Sequence, residues 1–367
     1  MGSQTELRDG AKPAPDGMQL HMGLSALSVN IFCVMMMFHR FQLHPTNAAD
    51  AKSGDGLRYL SHIDGLRALA ILPVVAFHLD AQWVPGGFTG VDIFFVISGF
   101  LMTRLILNEH QGGSFALFDF YKRRALRILP AYGSMIVFVL LCGVFVLLPS
   151  EWPRLGNSVL ASAGFVSNIY FWRTTSYFAA DEAAQPLLHT WTLSLEEQFY
   201  ILLPIFMLIL LRLPKRPVLG GIALLTLASL ALSVWGSARF ETAAFYLLPF
   251  RAWEFGVGAV LAFASIDKQL KKLGATLRSG LALLGLALCF SAFLLIDETT
   301  SFPGSTALLP VLGGALIVAF GSDGPTGQIL RSAPAVFVGR VSYALYLFHW
   351  PVIVFYKLRF GSELAAL

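Results

Sequence analysis

Two ionisable residues, Arg67 and His78, sit eleven positions apart inside the apolar run IDGLRALAILPVVAFH. Eleven helical steps of about 100° end only about 20° past three full turns, so both side chains leave one face of a helix. Their axial separation is about 16 Å by helix rise. One helix therefore carries a guanidinium at one end and an imidazole higher on the same face. A substrate with an anionic head and a long arm can touch both. Six more ionisable residues interrupt apolar stretches: Asp92, Glu196, Glu197, Arg251, Glu254 and His349. Imidazole beside carboxylate is the chemistry of proton transfer, and paired guanidiniums are the chemistry of phosphate recognition.

These residues matter because so much around them is apolar. Of 367 residues, 56% are hydrophobic and 13% charged, with a mean hydropathy of +0.67. Soluble domains carry about 25% charged residues, so a soluble globule, a disordered chain and a soluble nucleic-acid binder are all excluded. The expected fold is all-α, a polytopic transmembrane helical bundle. A span needs about 20 residues, and the candidates are 63–82, 87–107, 128–149, 192–212, 217–235, 245–265, 279–296, 305–320 and 335–357, nine in all. A weaker stretch, 157–172, carries Asn157, Ser158, Ser162, Ser167 and Asn168. Residues 1–56 form an N-terminal extension set apart by the polar linker 44–56. Its apolar segment 20–38 reads as an extra span, an uncleaved leader or a product of an upstream start codon.

Loop charge gives the topology. Arg104, Lys122, Arg123, Arg124 and Arg127 surround the loop after the second span, and Lys215, Arg216, Lys268, Lys271, Lys272, Arg278, Arg331 and Arg340 mark later ones. Positive loops face the cytoplasm. If 157–172 crossed the bilayer, every later basic loop would fall outside, so 150–191 is expected to be an external loop holding a re-entrant or surface helix. On this topology His78, Asp92, Glu196, Glu197, Arg251, Glu254 and His349 converge on the outer half of the membrane, while Arg67 sits near its cytoplasmic side. The net charge of +4 thus reports topology rather than a nucleic-acid partner. Three separated cysteines, Cys33, Cys142 and Cys289, support neither a disulfide framework nor a metal site. No P-loop, GxGxxG or G-x-S-x-G pattern is present.

The runs IDGLRALAILPVVAFH, GGFTGVDIFFVISGFLMT, YKRRALRILP, LLHTWTLSLEEQFY, LLPFRAWEFGVGA and GRVSYALYLFHWP, taken in order, resemble the membrane acyltransferase-3 family over about 60–360. The resemblance implies an integral enzyme of a bacterial cytoplasmic membrane. It implies that cytosolic acyl-CoA, with acetyl-CoA expected, is the donor substrate and no bound cofactor or metal is needed. The acceptor would be a hydroxyl of a cell-envelope glycan, lipopolysaccharide included, or of a secreted oligosaccharide. It further implies that Arg67 and His78 are the family's paired residues, that Arg124 and Arg127 form its acyl-CoA-side motif, and that Glu196 is its more constant glutamate, with Glu197 variable. His78 is then expected to act as general base and Glu196 to orient it or bind an acceptor hydroxyl. Residues 57–367 form the transmembrane acyltransferase domain. Members continue past the HWP helix into one more span, so this chain, stopping at Leu367, is expected to lack its last helix.

Each residue also has a plainer reading. Arg67 can pair with Asp64 one turn away, Arg124 and Arg127 can be topology anchors, and Asp92 can cap the second span. Arg251 and Glu254, at i,i+3, read as an internal ion pair, Ser98 as helix packing, and His349 beside Pro351 stays open between a kink feature and an interface anchor. Trp172, Tyr177 and Trp191 are expected to stack on sugar. A proton-coupled secondary transporter of a polar solute is the alternative function, because intramembrane ionisable groups suit proton relays too. Against it, no internal repeat or matched pair of broken helices is visible.

Overall fold

In the computed structural model of the chain, residues 59–174, 185–212, 214–266 and 272–361 are described. The expectations for the extension 1–56 and for Tyr177 lie outside them. The described residues form helices α1 (Ser61–Leu79), α2 (Gly90–Gln111), α3 (Leu117–Val146), α4 (Trp152–Ala163), α5 (Ser167–Thr174), α6 (Thr190–Leu210), α7 (Lys215–Ser237), α8 (Glu241–Tyr246), α9 (Leu248–Ile266), α10 (Ala275–Leu295), α11 (Leu308–Phe320), α12 (Gly324–Leu330) and α13 (Ala333–Phe360). A 3-10 turn, Gly87–Thr89, leads into α2. The fold is an all-α bundle of a multi-pass membrane protein.

Seven helices among the described residues are long and apolar enough to cross a membrane: α1, α2 with its leading turn, α3, α6, α7, α10 and α13. α11 and α12, bent by 95° at the break between them, make up to eight. Against nine expected spans, seven to eight are found among the described residues: the expected sixth, α9, is helical but is not one of them, because Arg251 and Glu254 interrupt its apolar run, and two others differ in extent. The eighth is only 13 residues long before the chain turns at Gly321. The third starts at Leu117 rather than 128, so Arg123, Arg124 and Arg127 lie on a helix of 30 residues. Their charges lower its local hydropathy without breaking its helical pattern.

Residues 157–172 form no span. They fall in two short helices, α4 and α5, separated where Phe165 adopts a left-handed backbone with φ of 53°. Their buried polar residues explain the arrangement: Ser158 donates to Leu155 of its own helix, and Ser162, Ser167 and Asn168 find partners on α6. Ser162 Oγ lies 2.9 Å from Thr190 Oγ1, Ser167 Oγ lies 2.7 Å from Ser194 Oγ, and Gln198 Nε2 donates to Asn168 Oδ1 at 2.8 Å. A polar helix at membrane depth is tolerated where protein supplies its hydrogen bonds.

Large apolar side chains on α3 and α7, among them Leu126, Leu141, Phe145, Leu224 and Leu227, point outward, as a hydrocarbon solvent permits. Inside, α13 packs along α1, and α9 lies against both α2 and α7. Close approach comes from small residues. A Cβ on Gly99 would strike the Phe255 backbone, and one on Gly258 would strike the Val96 carbonyl, so α2 and α9 cross nearly backbone to backbone. Gly339 of α13 meets the Asp64 carbonyl of α1 in the same way, which draws these two helices together along the Arg67–His78 element.

Candidate active site

The C-terminal turn of α1 and the middle of α13 bring two imidazoles into contact. His78 Nδ1 and His349 Nε2 are 2.9 Å apart, with ring centroids 5.1 Å apart in a near-parallel stack. Trp350 stands edge-on to His78 at 4.7 Å. The HWP sequence accounts for this geometry. Pro351 has no N–H to give the Leu347 carbonyl four residues earlier, and His189 Nε2 donates to that carbonyl instead, at 3.1 Å. Trp350 Nε1 donates to the Gln185 carbonyl at 2.8 Å, and the Tyr346 hydroxyl donates to the His189 carbonyl at 2.9 Å. Thus α13 is clamped to the chain entering α6, and His349 is aimed at His78. His349 accordingly meets His78 across the α1–α13 seam.

A second group lies where α1, α3 and α6 meet. Glu196 accepts from Ser98 Oγ at 2.9 Å and from the Tyr200 hydroxyl at 3.2 Å. Arg124 and Arg67 are near enough to interact electrostatically with its carboxyl group. Arg124 stacks on the Tyr200 ring at 3.6 Å from its centroid and points Nη1 at Met102 sulfur, 3.0 Å away. Arg127 feels both Arg67 and Arg124, and its side chain has an exposed face. Arg67 makes the pair with Asp64 that its spacing permits, at 3.6 Å. Tyr59 donates to Asp64 and accepts from Arg340 Nη2 at 3.2 Å. Burial, and after it the hydrogen bond to Asp64, pushes the Tyr59 hydroxyl above its ordinary pKa, so it stays a donor. A cavity of about 240 Å³ opens beside Arg124, lined by Tyr121, Phe165, Glu197 and Tyr200 among others.

The third group is sealed. Arg251 contacts Asp92 at 3.2 Å and Glu254 at 3.2 Å, and all three side chains are at most 1% exposed. Phe95, Trp191, Phe245 and Phe302 surround the guanidinium with centroids 5.4–5.8 Å away. This group ties α2 to α9. Asp92 pairs with Arg251 rather than capping α2, which has no side-chain cap hydrogen bond, and the internal ion pair of Arg251 and Glu254 gains a second carboxyl.

The single outer layer expected from helix rise is thus three separate clusters. His78 and His349 form one, and Asp92, Arg251 and Glu254 form another. Glu196 departs from expectation. Its hydrogen-bond partners among the described residues are Ser98 and Tyr200, not His78, and it belongs with the arginines. Ser98 accordingly has a polar role besides packing. Trp191 also departs: it is 2% exposed and packs on Phe245 and Tyr246, so it is unavailable to a sugar. His189, Tyr200 and Gln185 went unanticipated. His189 and Gln185 fall in the stretch 150–191 expected to be an external loop, and Tyr200 lies inside the expected span 192–212. Among the described residues no three His, Cys, Asp or Glu side chains gather as metal ligands.

Chemically, the imidazole pair can accept and return a proton, and the guanidinium group can hold an anion. Residues 60–364 match the acyltransferase domain family. The peptidoglycan O-acetyltransferase OatA of Listeria monocytogenes is 34% identical over 312 residues, 81% of this chain and 50% of that protein. The O-acetyltransferase OatA of Staphylococcus aureus is 30% identical over 311 residues, 81% of this chain and 51% of that protein. The chain spans about half the length of these curated relatives. No solved structure matches it.

Proposed function

The chain belongs to the membrane acyltransferase-3 family, and from that premise we propose that it moves an acetyl group from acetyl-CoA to a hydroxyl of a cell-envelope glycan. The observation that carries this reading is the division of labour along α1. Arg67, Arg124 and Arg127 gather about its lower end, and the His78–His349 pair lies toward the other. Guanidinium forks match phosphate oxygens in pairs. The Coenzyme A phosphates would dock there from the cytoplasm, and the pantetheine arm would cover the roughly 16 Å to the imidazole.

At that point His78 acts as general base. It takes the proton of the glycan hydroxyl as the oxygen attacks the thioester carbonyl. The tetrahedral intermediate then collapses, the C–S bond breaks, and the imidazolium returns the proton to the departing thiolate. Glycan ester and CoA thiol are the products, and His78 ends as it began. Glu196, held by Ser98 and Tyr200, orients the arginines rather than the base. The Gln185 amide, buried without a hydrogen-bond partner among the described residues, is available to an acceptor hydroxyl near Trp350. The name of the Listeria relative makes peptidoglycan the first acceptor to try, and a bacterial cytoplasmic membrane is the setting this reading assigns.

The test uses proteoliposomes of the full chain with [14C]acetyl-CoA enclosed with the arginine-bearing side and N-acetylglucosamine oligomers on the other. Label in alkali-labile ester on the oligomer supports the proposal. No ester on any envelope glycan, with protein folded and inserted, overturns it.

A further inference from the structure

His349 is a positioning residue that selects the tautomer of the base: we propose that its ring, locked by the backbone of its own helix, forces His78 to present Nε2 as the proton acceptor. The inference rests on the acyl-transfer reading above and goes beyond it by assigning each ring nitrogen.

The chain of donors begins at the backbone. His349 Nδ1 lies 2.7 Å from the Tyr346 carbonyl oxygen and 3.2 Å from that of Leu345. A carbonyl oxygen only accepts, so Nδ1 must carry the proton. With both rings neutral, Nε2 of His349 then holds a lone pair, and it faces His78 Nδ1 at 2.9 Å. Two lone pairs cannot share that contact. His78 Nδ1 must therefore be the donor, which leaves its own lone pair on Nε2. A backbone that cannot titrate thus fixes the donor and the acceptor of the His78–His349 contact.

The ring of His349 has little freedom to escape this role. It is 1% exposed. The Tyr346 ring lies 5.5 Å away and the His189 ring 5.9 Å away. His189 is itself held by the Leu347 carbonyl that Pro351 leaves unpaired, so the gap in the α13 backbone ladder is closed beside His349. The base faces other polar groups from the same elements: Lys357 Nζ reaches the His78 carbonyl at 3.4 Å, a contact to backbone that leaves the tautomer unaffected. When His78 takes a proton, Nδ1–H stays bonded to His349, so the relay also steadies the imidazolium. A catalytic histidine in the wrong tautomer loses most of its rate.

The experiment is nitrogen-15 solid-state NMR of the full chain in lipid, with [15N]histidine and with His78→Gln to assign the signals. The expected result is a protonated Nδ1 and an unprotonated, pyridine-like Nε2 on His78. A protonated Nε2 on His78 in the unmodified chain overturns the inference. Kinetics provide the second readout. His349→Leu should lower kcat of acetyl transfer by about 10²- to 10⁴-fold, the worth of a positioned base, with KM for acetyl-CoA unchanged. His349→Gln, whose amide oxygen replaces the acceptor, should recover much of the loss. Equal losses in the two variants, or a change confined to KM, would contradict the relay. Full activity of His78→Ala would instead sink the general-base reading while leaving the NMR result standing, so the two failures are distinguishable.

Discussion

Arg251→Leu removes the guanidinium that lies between two buried carboxyl groups, and its cost can be worked from the contacts. Asp92 and Glu254 each lie 3.2 Å from Arg251, and none of the three side chains is more than 1% exposed. Neither carboxyl can turn to water once the cation is gone. Breaking a buried ion pair by removing one partner costs about 3–5 kcal/mol. The rings of Phe95, Trp191, Phe245 and Phe302 also lose a cation each had within 6 Å, worth about 0.5–2 kcal/mol together. The expected loss is therefore at or above the upper end of that range, about 5 kcal/mol. Asp92→Asn should cost less, about 1–3 kcal/mol, since Glu254 still answers the guanidinium. The triple variant Asp92→Asn, Arg251→Leu, Glu254→Gln should recover most of the loss, because it leaves no buried charge behind. Thermal unfolding in detergent, followed by loss of a monodisperse size-exclusion peak, ranks the four proteins. The predicted order is wild type, triple, Asp92→Asn or near it, then Arg251→Leu. If Arg251→Leu melts with the wild type yet loses acetyl transfer, the group works in the chemistry and the structural account of it is refuted.

Other expectations follow from the same contacts. Arg124→Ala should raise KM for acetyl-CoA at least about tenfold, as expected for loss of a charge-assisted phosphate contact, and Arg124→Lys should not restore it, because an ammonium lacks both the fork and the flat face stacked on Tyr200. Steady-state kinetics checks both. Asn168→Ala leaves the Tyr246 carbonyl and the Gln198 amide short of partners, and should destabilise the chain by about 1–3 kcal/mol in the same melting assay. Coenzyme A at 100 times its Kd should stabilise the protein by about 2.7 kcal/mol. No thermal shift with Coenzyme A, together with uptake of a polar solute into vesicles, would favour the transporter instead.

Apolar segments of about 20 residues satisfy their backbone in a bilayer as helix, and a charge within one needs a partner. The helical character of the apolar segments, the absence of a span at 157–172 and the Arg67–Asp64 pair are legible one helix at a time, whereas the number of spans is not: seven to eight are found among the described residues against nine expected. What lay beyond that view depended on neighbours. Glu196 was placed by counting rise along a straight, upright helix, yet Pro204 in α6 and Pro73 in α1 leave room for bends and tilts that such counting ignores. Its true partners, Ser98 and Tyr200, sit on α2 and one turn along its own helix. His189 was hidden because it precedes its apolar run by a residue, and its purpose appears only beside the carbonyl that Pro351 frees on α13. Trp191 was assigned to a surface because its loop was, although it begins α6 and faces the core.

The central claim is that a proton leaves the acceptor hydroxyl for His78 while the arginines hold the donor. Its most direct test measures two quantities on one variant, His78→Ala in proteoliposomes: binding of [14C]acetyl-CoA and formation of labelled glycan ester. The account predicts that binding persists within a few-fold and that ester formation falls by about 10²- to 10⁴-fold. Ester formed at the wild-type rate by His78→Ala would contradict it.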